Sequence, residues 1–366
     1  MRILWLTWKD KQHPQAGGAE VVSSELGKRL AAEGHEVLFI TGGYEGGAKR
    51  TTIDGYKVIR LGNRYTVYWH AYKYIKKNLR DWPELVIEEI NTVPFFSRLY
   101  LKNVKRYLFF HMLCRKIWFY QLSMPLSMLG FLLEPLYLRV LKKDPVITVS
   151  NSTKMDLVRN GYHHKQVHII SEGILLPPVN SVEKVDKFPR PTIISLGAIR
   201  AMKQTMDQVK AFEITKKVYP KLQLKIAGDA SSDYGKKVLN YIAHSRYKKD
   251  IEYLGKVSPK QKKELLKKGH LISVTSIKEG WGLIVTEAAS QGTPAVVYDV
   301  DGLRDSVRNT KTGLITTDNT PYKLASCMWR VLTDKDLYTD LQRNGWQWSK
   351  SINFDKAYFD FMKVVK

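Results

Sequence analysis

Short apolar runs alternate with helical patterns along this chain, break once, and then alternate again, and that double alternation constrains the fold more than any bulk property. Arg2 to Trp8, Glu36 to Thr41, Leu85 to Glu89 and Val146 to Ser150 read as strands, with a helix over Glu20 to Glu33 between the first two. Runs this apolar are covered on both faces, and strands alternating with helices imply a parallel sheet with crossover helices. Ser150 caps the next helix, and Val167 to Ile170 returns as a strand. Glu172 to Pro191 is rich in Pro, Val, Lys and Asp without periodicity and reads as a linker. The alternation restarts with Thr192 to Leu196, a helix over Met206 to Val218, then Leu222 to Ala227, Ile251 to Leu254, Leu271 to Thr275 and Ala295 to Tyr298. A chain of 366 residues is long enough for two such domains. Their expected bounds are residues 1–172, a linker over 173–190, and 191–349, with a last helix in about 350–366.

One stretch carries chemistry. In Lys278-Glu279-Gly280-Trp281-Gly282-Leu283, two glycines permit close backbone approach just before a helix that runs from about Leu283 to Gln291 and stops at Gly292 and Pro294. Glu279 precedes that helix and Glu287 rides on it, with seven residues between them. The first amides of a helix lack intrahelical acceptors and carry partial positive charge, so those of Leu283 and Ile284 suit a diphosphate, with a carboxylate on either side for hydroxyl groups. Gly17-Gly18-Ala19-Glu20 lies between the first strand and first helix, where a doubly wound sheet opens its ligand crevice.

Glu279, Glu287, the glycine pair, the Thr-Pro-Ala-Val-Val strand that follows, and the Gly-Gly-Ala-Glu loop together resemble the retaining nucleotide-sugar glycosyltransferases of family 4, within the glycosyl transferases group 1. The resemblance covers most of the chain. It implies an α/β architecture called GT-B, two Rossmann-like parallel-sheet domains facing a central cleft, the first for the acceptor and the second for the donor, with the last helix packing back on the first. It implies catalytic roles for Glu279, which would bind the sugar hydroxyls and face the reacting carbon, for His111, which would touch the sugar, and for Arg200 and Lys203, which would hold the diphosphate. Donor binding would fall to Gly17, Gly18, Val257, Gly280, Gly282, Leu283, Ile284 and Glu287, the last on the ribose and Val257 against the nucleobase. UDP and GDP are not separated by these positions. The family usually has arginine directly after the glycine that ends the Thr192 to Leu196 strand; this chain has Ala198 there, with Arg200 two residues later.

Asp299-Val300-Asp301 mimics the Asp-x-Asp signature of metal-dependent transferases, but it stands just before Gly302-Leu303, where the family has a turn. No metal or other cofactor is expected: helix dipole and cations would neutralise the diphosphate.

The formal charge is +24, from 59 Lys and Arg against 35 Asp and Glu, a field that calls for an anionic partner. Arg64 to Lys77, read as a helix, sets Tyr65, Tyr68, Trp69 and Tyr72 on one side with Lys73, Lys76 and Lys77 flanking, a pattern suited to an anionic membrane or a lipid-linked acceptor. Ile117 to Leu133 is free of charge but interrupted by Pro125 and serines, and reads as buried helix and loop, with a span or an interfacial dip as the alternatives. Two cysteines far apart, Cys114 and Cys327, suggest no disulfide framework. The expected setting is cytoplasmic, at the inner face of the cell membrane. The expected partners are a nucleotide-sugar donor, a glycan or lipid-linked acceptor and an anionic membrane, without nucleic acid. Other readings are a sugar-nucleotide epimerase on the same architecture and, from a different class, a basic nucleic-acid-binding protein, for which no recognised motif is present.

Overall fold

The computed structural model describes residues 1–366, the side chain of residue 121 excepted. The chain divides into two compact units, Met1–Gly173 with Phe354–Lys366, and Ile174–Asn353. Of the expected linker 173–190, the second unit takes in residues 174–190 and the first unit Gly173. The amide of Val179 donates to Ser290 O and that of Phe188 to Lys268 O, each at 2.9 Å, so this stretch is fastened to the unit.

In the first unit, β1 (Arg2–Leu6), β2 (Glu36–Thr41), β3 (Arg50–Ile53), β4 (Tyr56–Arg60), β5 (Leu85–Glu89), β6 (Lys105–Phe110), β7 (Val146–Thr148) and β8 (Val167–Ile169) form one sheet. Their order is β3-β4-β2-β1-β5-β6-β7-β8, parallel throughout except for the β3–β4 hairpin. Every residue of β5, and all but the first of β1 and β2, is buried, as both-face coverage demands. The helices are α1 (Gly18–Ala32), α2 (Val67–Asn78), α3 (Trp118–Gln121), α4 (Leu126–Leu141) and α5 (Asn151–Arg159). The hairpin was not anticipated: β3 is short and half exposed, and its signal is the Asp54-Gly55 turn, where both residues have positive φ, 47° and 92°.

The second unit is a parallel sheet of β9 (Thr192–Leu196), β10 (Gln223–Ala227), β11 (Ile251–Tyr253), β12 (Leu271–Val274), β13 (Ala295–Val297) and β14 (Gly313–Ile315), in the order β11-β10-β9-β12-β13-β14. Its first strand thus neighbours its second and its fourth, which makes the gap between β9 and β12 the switch point of a doubly wound sheet. The helices are α6 (Thr205–Val218), α7 (Asp233–His244), α8 (Pro259–Lys268), α9 (Leu283–Ser290), α10 (Leu303–Ser306), α11 (Pro321–Thr333) and α12 (Lys335–Ser349). The chain then returns to the first unit as α13 (Phe354–Val365). There Phe361 stacks on Trp5 with ring centroids 5.9 Å apart, and Arg29 pairs with Asp355 at 2.9 Å.

α4 departs from its sequence reading. It was expected to be buried, yet one side of it is a row of exposed leucines.

Candidate active site

The switch point of the second sheet brings Glu279 and Lys203 together. β9 runs into Gly197, and a single 3-10 turn over Ala201–Lys203 precedes α6. β12 runs into Thr275, Ser276 and then Glu279. The two loops are tied by backbone, Ile277 N donating to Met202 O at 2.9 Å, and by Thr275 Oγ1 donating to Lys203 O at 2.9 Å. Lys203 Nζ consequently meets Glu279 Oε1 in an ion pair, and Ser276 Oγ donates to the same oxygen at 2.5 Å. Both side chains are mostly shielded, so the pair is fixed in place rather than waving in solvent.

Glycines make this geometry possible. Gly302 has φ +80°, and a Cβ there would fall 2.3 Å from Glu279 O, while Glu279 N donates to Asp301 O at 3.0 Å. The Glu279 backbone is therefore pressed into a slot that only glycine leaves open. Gly228, at the end of β10 with φ +151°, would place a Cβ 1.9 Å from Gly197 O, so the loops after β9 and β10 lie against each other in the same way.

Gly282, in the left-handed region at φ +95°, starts α9. Val285 N donates to Gly282 O at 2.8 Å, while the amides of Leu283 and Ile284 come before the helix ladder begins. Gly280 sits two residues earlier and is partly exposed. Glu287 is held bidentately by Lys262 of α8, at 2.7 Å and 2.6 Å. Lys262 was not singled out from sequence; an acid on one helix gives no sign of which lysine on the next will face it. Val257 is half-buried against the core under β9 and β12, just after Gly255 at φ +66° and before Ser258, the cap of α8. Arg200 is exposed at the start of the 3-10 turn and makes no ion pair among the described residues. Trp281, between the two glycines, has a buried indole N–H without an acceptor among the described residues. Asp299 and Asp301 are engaged by cations, Asp299 with Arg304 at 2.8 Å and Asp301 with Arg304 and with Lys278 at 3.5 Å.

The first unit gathers a different set. Gly17 caps α1, and its amide donates to Glu20 Oε2 at 2.6 Å, with Lys9 Nζ 3.3 Å from the same carboxylate. A Cβ at Gly17 would meet only that carboxylate oxygen, at 3.7 Å, so the chain itself leaves the space beside the loop open, with Gly18 opening the helix behind it. His111 follows β6 and is buried, Nε2 lying 3.5 Å from Glu89 Oε1. Glu89, at the end of β5, also accepts from Ser23 Oγ at 2.6 Å and Trp5 Nε1 at 3.0 Å. Burial pushes the His111 imidazole down, but the Glu89 hydrogen bond and charge, with Glu172 and Glu20 behind it, override this and leave its pKa above the usual value. Glu89 ends below its ordinary value because His111, Ser23 and Trp5 outweigh its burial. Glu172 is the reverse case: burial pushes its carboxyl up to about 7 against the opposing His111 charge, and its Oε2 has no hydrogen-bond partner. Neither Glu89 nor Glu172 was picked from sequence, the first because it ends an apolar strand and the second because it opens what reads as a linker.

The aromatic side expected over Arg64 to Lys77 is split. Trp69 and Tyr65 are exposed, and Tyr72 stacks on Trp69 at 5.5 Å. Tyr68 instead turns inward, its ring 4.8 Å from that of Phe95, because α2 buries Val67, Ala71 and Ile75 and Tyr68 borders that face. Lys73, Lys76 and Lys77 remain exposed, Lys73 over Trp69 and Lys76 over Tyr72.

Two doubly wound sheets, one with glycine-shaped loops, a carboxylate and a lysine at its switch point, define a Rossmann-like two-domain α/β protein. Comparison with known proteins gives the family. The model described as "Glycosyl transferases group 1" matches residues 179–348, and that described as "Glycosyltransferase Family 4" matches residues 16–176. The chain belongs to these glycosyltransferases and has the GT-B fold. It is 23% identical over 363 residues to the N-acetyl-alpha-D-glucosaminyl L-malate synthase of Bacillus anthracis, covering 90% of this chain and 88% of that protein. Several other curated relatives are matched over less than half of their own length. Among solved structures, a sucrose-phosphate synthase from Thermosynechococcus elongatus superposes with a TM-score of 0.80 at 18% identity, covering 100% of this chain and 98% of the other. The Anabaena protein Alr3699/HepE, solved in complex with UDP and glucose, superposes with a TM-score of 0.73 at 14% identity, covering 100% and 99%.

Proposed function

We propose that this glycosyltransferase moves a sugar, with retention of configuration, from a nucleotide diphosphate donor to a hydroxyl of a glycan or lipid-linked acceptor at the inner face of an anionic membrane. The observation that carries the donor part is the Lys203–Glu279 pair at the switch point of the second sheet, next to the start of α9. A nucleoside diphosphate needs cations and free amides for its phosphates, and Arg200, Lys203 and the amides of Leu283 and Ile284 are the groups proposed to supply them. Glu287 takes the ribose hydroxyls, exchanging part of its hold on Lys262, and Val257 lies against the base. Gly280 and Gly282 let the diphosphate approach the backbone. The complex of the Anabaena neighbour with UDP and glucose supports a nucleotide-sugar donor.

In the reaction, the acceptor oxygen bonds to the anomeric carbon as the bond from that carbon to the phosphate oxygen breaks. The acceptor proton passes to the departing phosphate, and the charge building there is met by Lys203, Arg200 and the helix start. Glu279 orients the sugar hydroxyls. Gly17, Gly18 and His111 are the first unit's proposed contributors, His111 as a hydrogen-bond donor to the sugar. With Asp299 and Asp301 occupied by Arg304 and Lys278, turnover is proposed not to need a divalent cation. The membrane part rests on the +24 charge and on Tyr65, Trp69, Tyr72, Lys73, Lys76 and Lys77 around α2, with Tyr68 serving the core instead.

The test is thermal stabilisation of the protein by UDP, GDP, ADP and their sugars in the presence of a chelator, repeated for Glu287→Ala. Stabilisation by one nucleotide that the variant loses supports the proposal. Equal indifference to every nucleotide sinks it.

A further inference from the structure

α4 is amphipathic the wrong way round for a helix of a freely soluble domain. Leu126, Leu129, Leu132, Leu133, Leu136 and Val140 are each between 45% and 58% exposed. At about 100° per residue they fall within an arc of about 120° on one side of the helix. The opposite side carries Ser127, Glu134, Tyr137, Leu138 and Leu141, all buried. That orientation is fixed by polar groups. Glu134 accepts from the amides of Cys114 at 2.8 Å and Arg115 at 2.7 Å and from Trp118 Nε1 at 3.0 Å, while Tyr137 OH donates to Thr92 O at 2.8 Å. Leu138 and Leu141 complete the anchor among Leu108, Phe110 and Leu113. A helix clamped by a buried carboxylate cannot roll its leucines inward without leaving that carboxylate unpaired.

Contiguous apolar surface of this kind marks an interaction site, and the charges around it select the partner. From Arg115 to Lys143 the only acid is the buried Glu134, whereas Lys116, Arg139, Lys142 and Lys143 are all exposed. A second copy of the chain would bring the same cations, and the same +24 net charge, against them. An anionic lipid surface offers the complement, acyl chains for the leucines and phosphates for the rim. Among the described residues no helix is long and apolar enough to cross a membrane.

We propose that α4 lies in the plane of an anionic phospholipid bilayer with its leucine row in the acyl region and its basic rim at the headgroups. This deepens the membrane part of the proposed function and rests on it, assigning to α4 the apolar insertion that the exposed rings of Tyr65 and Trp69, at the start of α2, supply only in part.

The experiment compares the whole protein with Leu129→Ser/Leu133→Ser, which leaves all charges in place, for partition onto vesicles of phosphatidylglycerol and phosphatidylcholine and onto phosphatidylcholine alone. A Leu133→Trp variant is titrated with brominated lipids. The expected result is at least a tenfold loss of partition in the serine variant, quenching of the new tryptophan by lipid bromine, and binding by the parent protein that persists at 0.5 M salt. Unchanged partition of the serine variant, or binding abolished by salt, overturns insertion. Equal binding to phosphatidylcholine alone overturns the anionic preference. A dimer of the parent protein that becomes monomeric in the serine variant makes the occupant a second copy and also overturns the proposal. Nucleotide stabilisation is measured on the same samples. Its loss with vesicle binding intact counts against the donor reading alone, and the converse counts against the membrane reading alone.

Discussion

Replacing Glu172 with Gln should stabilise the first unit at high pH and do little in acid. The carboxyl lies within the electrostatic reach of His111, is almost wholly buried, and is pushed from 4.5 up to about 7 by that burial. Because the folded state has the higher pKa, it takes up the proton first as pH falls. Folding is therefore penalised progressively as pH rises from the unfolded value towards the folded one, and the penalty is complete above it. At about 1.4 kcal/mol per unit, this shift costs about 1 kcal/mol at pH 5 and about 3 kcal/mol at pH 8. The second figure is a ceiling, since losing the Glu172 charge also withdraws support from the His111 imidazolium. The assay is urea unfolding of parent and variant at both pH values, with pulsed hydrogen exchange of β1, β5 and β6 peptides reporting on the first unit separately from the second. The expected gain grows by about 2 kcal/mol between pH 5 and pH 8. A gain that does not change with pH, or a loss of stability at pH 8, would show that Glu172 is not held as a desolvated acid.

Other outcomes follow from the second unit. Lys203→Ala should lower turnover by about 10²–10³-fold, the usual effect of removing one preorganised donor from a developing charge, with donor affinity falling much less; steady-state kinetics with saturating donor checks this. Gly302→Ala forces a Cβ onto Glu279 O at a positive φ, so it should cost about 1–3 kcal/mol and reduce activity with it, read by calorimetry and by the rate of donor turnover. Phe361→Ala removes the ring stacked on Trp5 and should destabilise the first unit by about 3–5 kcal/mol while leaving the second unit's exchange protection unchanged.

The fold was legible where burial dictates composition. β2, β5 and β9 occupy the stretches that their apolar runs marked out, because a strand covered on both faces is mostly apolar, the buried Glu88 and Glu89 of β5 being held by hydrogen bonds. The same logic misleads at α4, whose leucines are as apolar as a core segment but face outward: sequence reports how hydrophobic a face is, not what covers it. In the site, the positions of Glu279, Gly282 and Glu287 around the start of α9 could be read locally, since glycines and a helix start are features of neighbouring residues. The partners could not. Lys203 meets Glu279 across 76 positions of sequence and Lys262 meets Glu287 across 25, and each pairing is set by which strands adjoin in the sheet. Glu172 was lost for a related reason, a lone acid beside a proline-rich stretch looking solvated until the tertiary structure closes over it.

Hydrogen exchange of the whole protein with and without a saturating nucleoside diphosphate, in chelator, tests the central claim most directly. The account predicts slowed exchange in peptides spanning residues 197–203 and 279–290, and no such slowing in Glu287→Ala. Protection confined to other segments, or none with any of UDP, GDP and ADP, would contradict a donor site at the β9–β12 switch point.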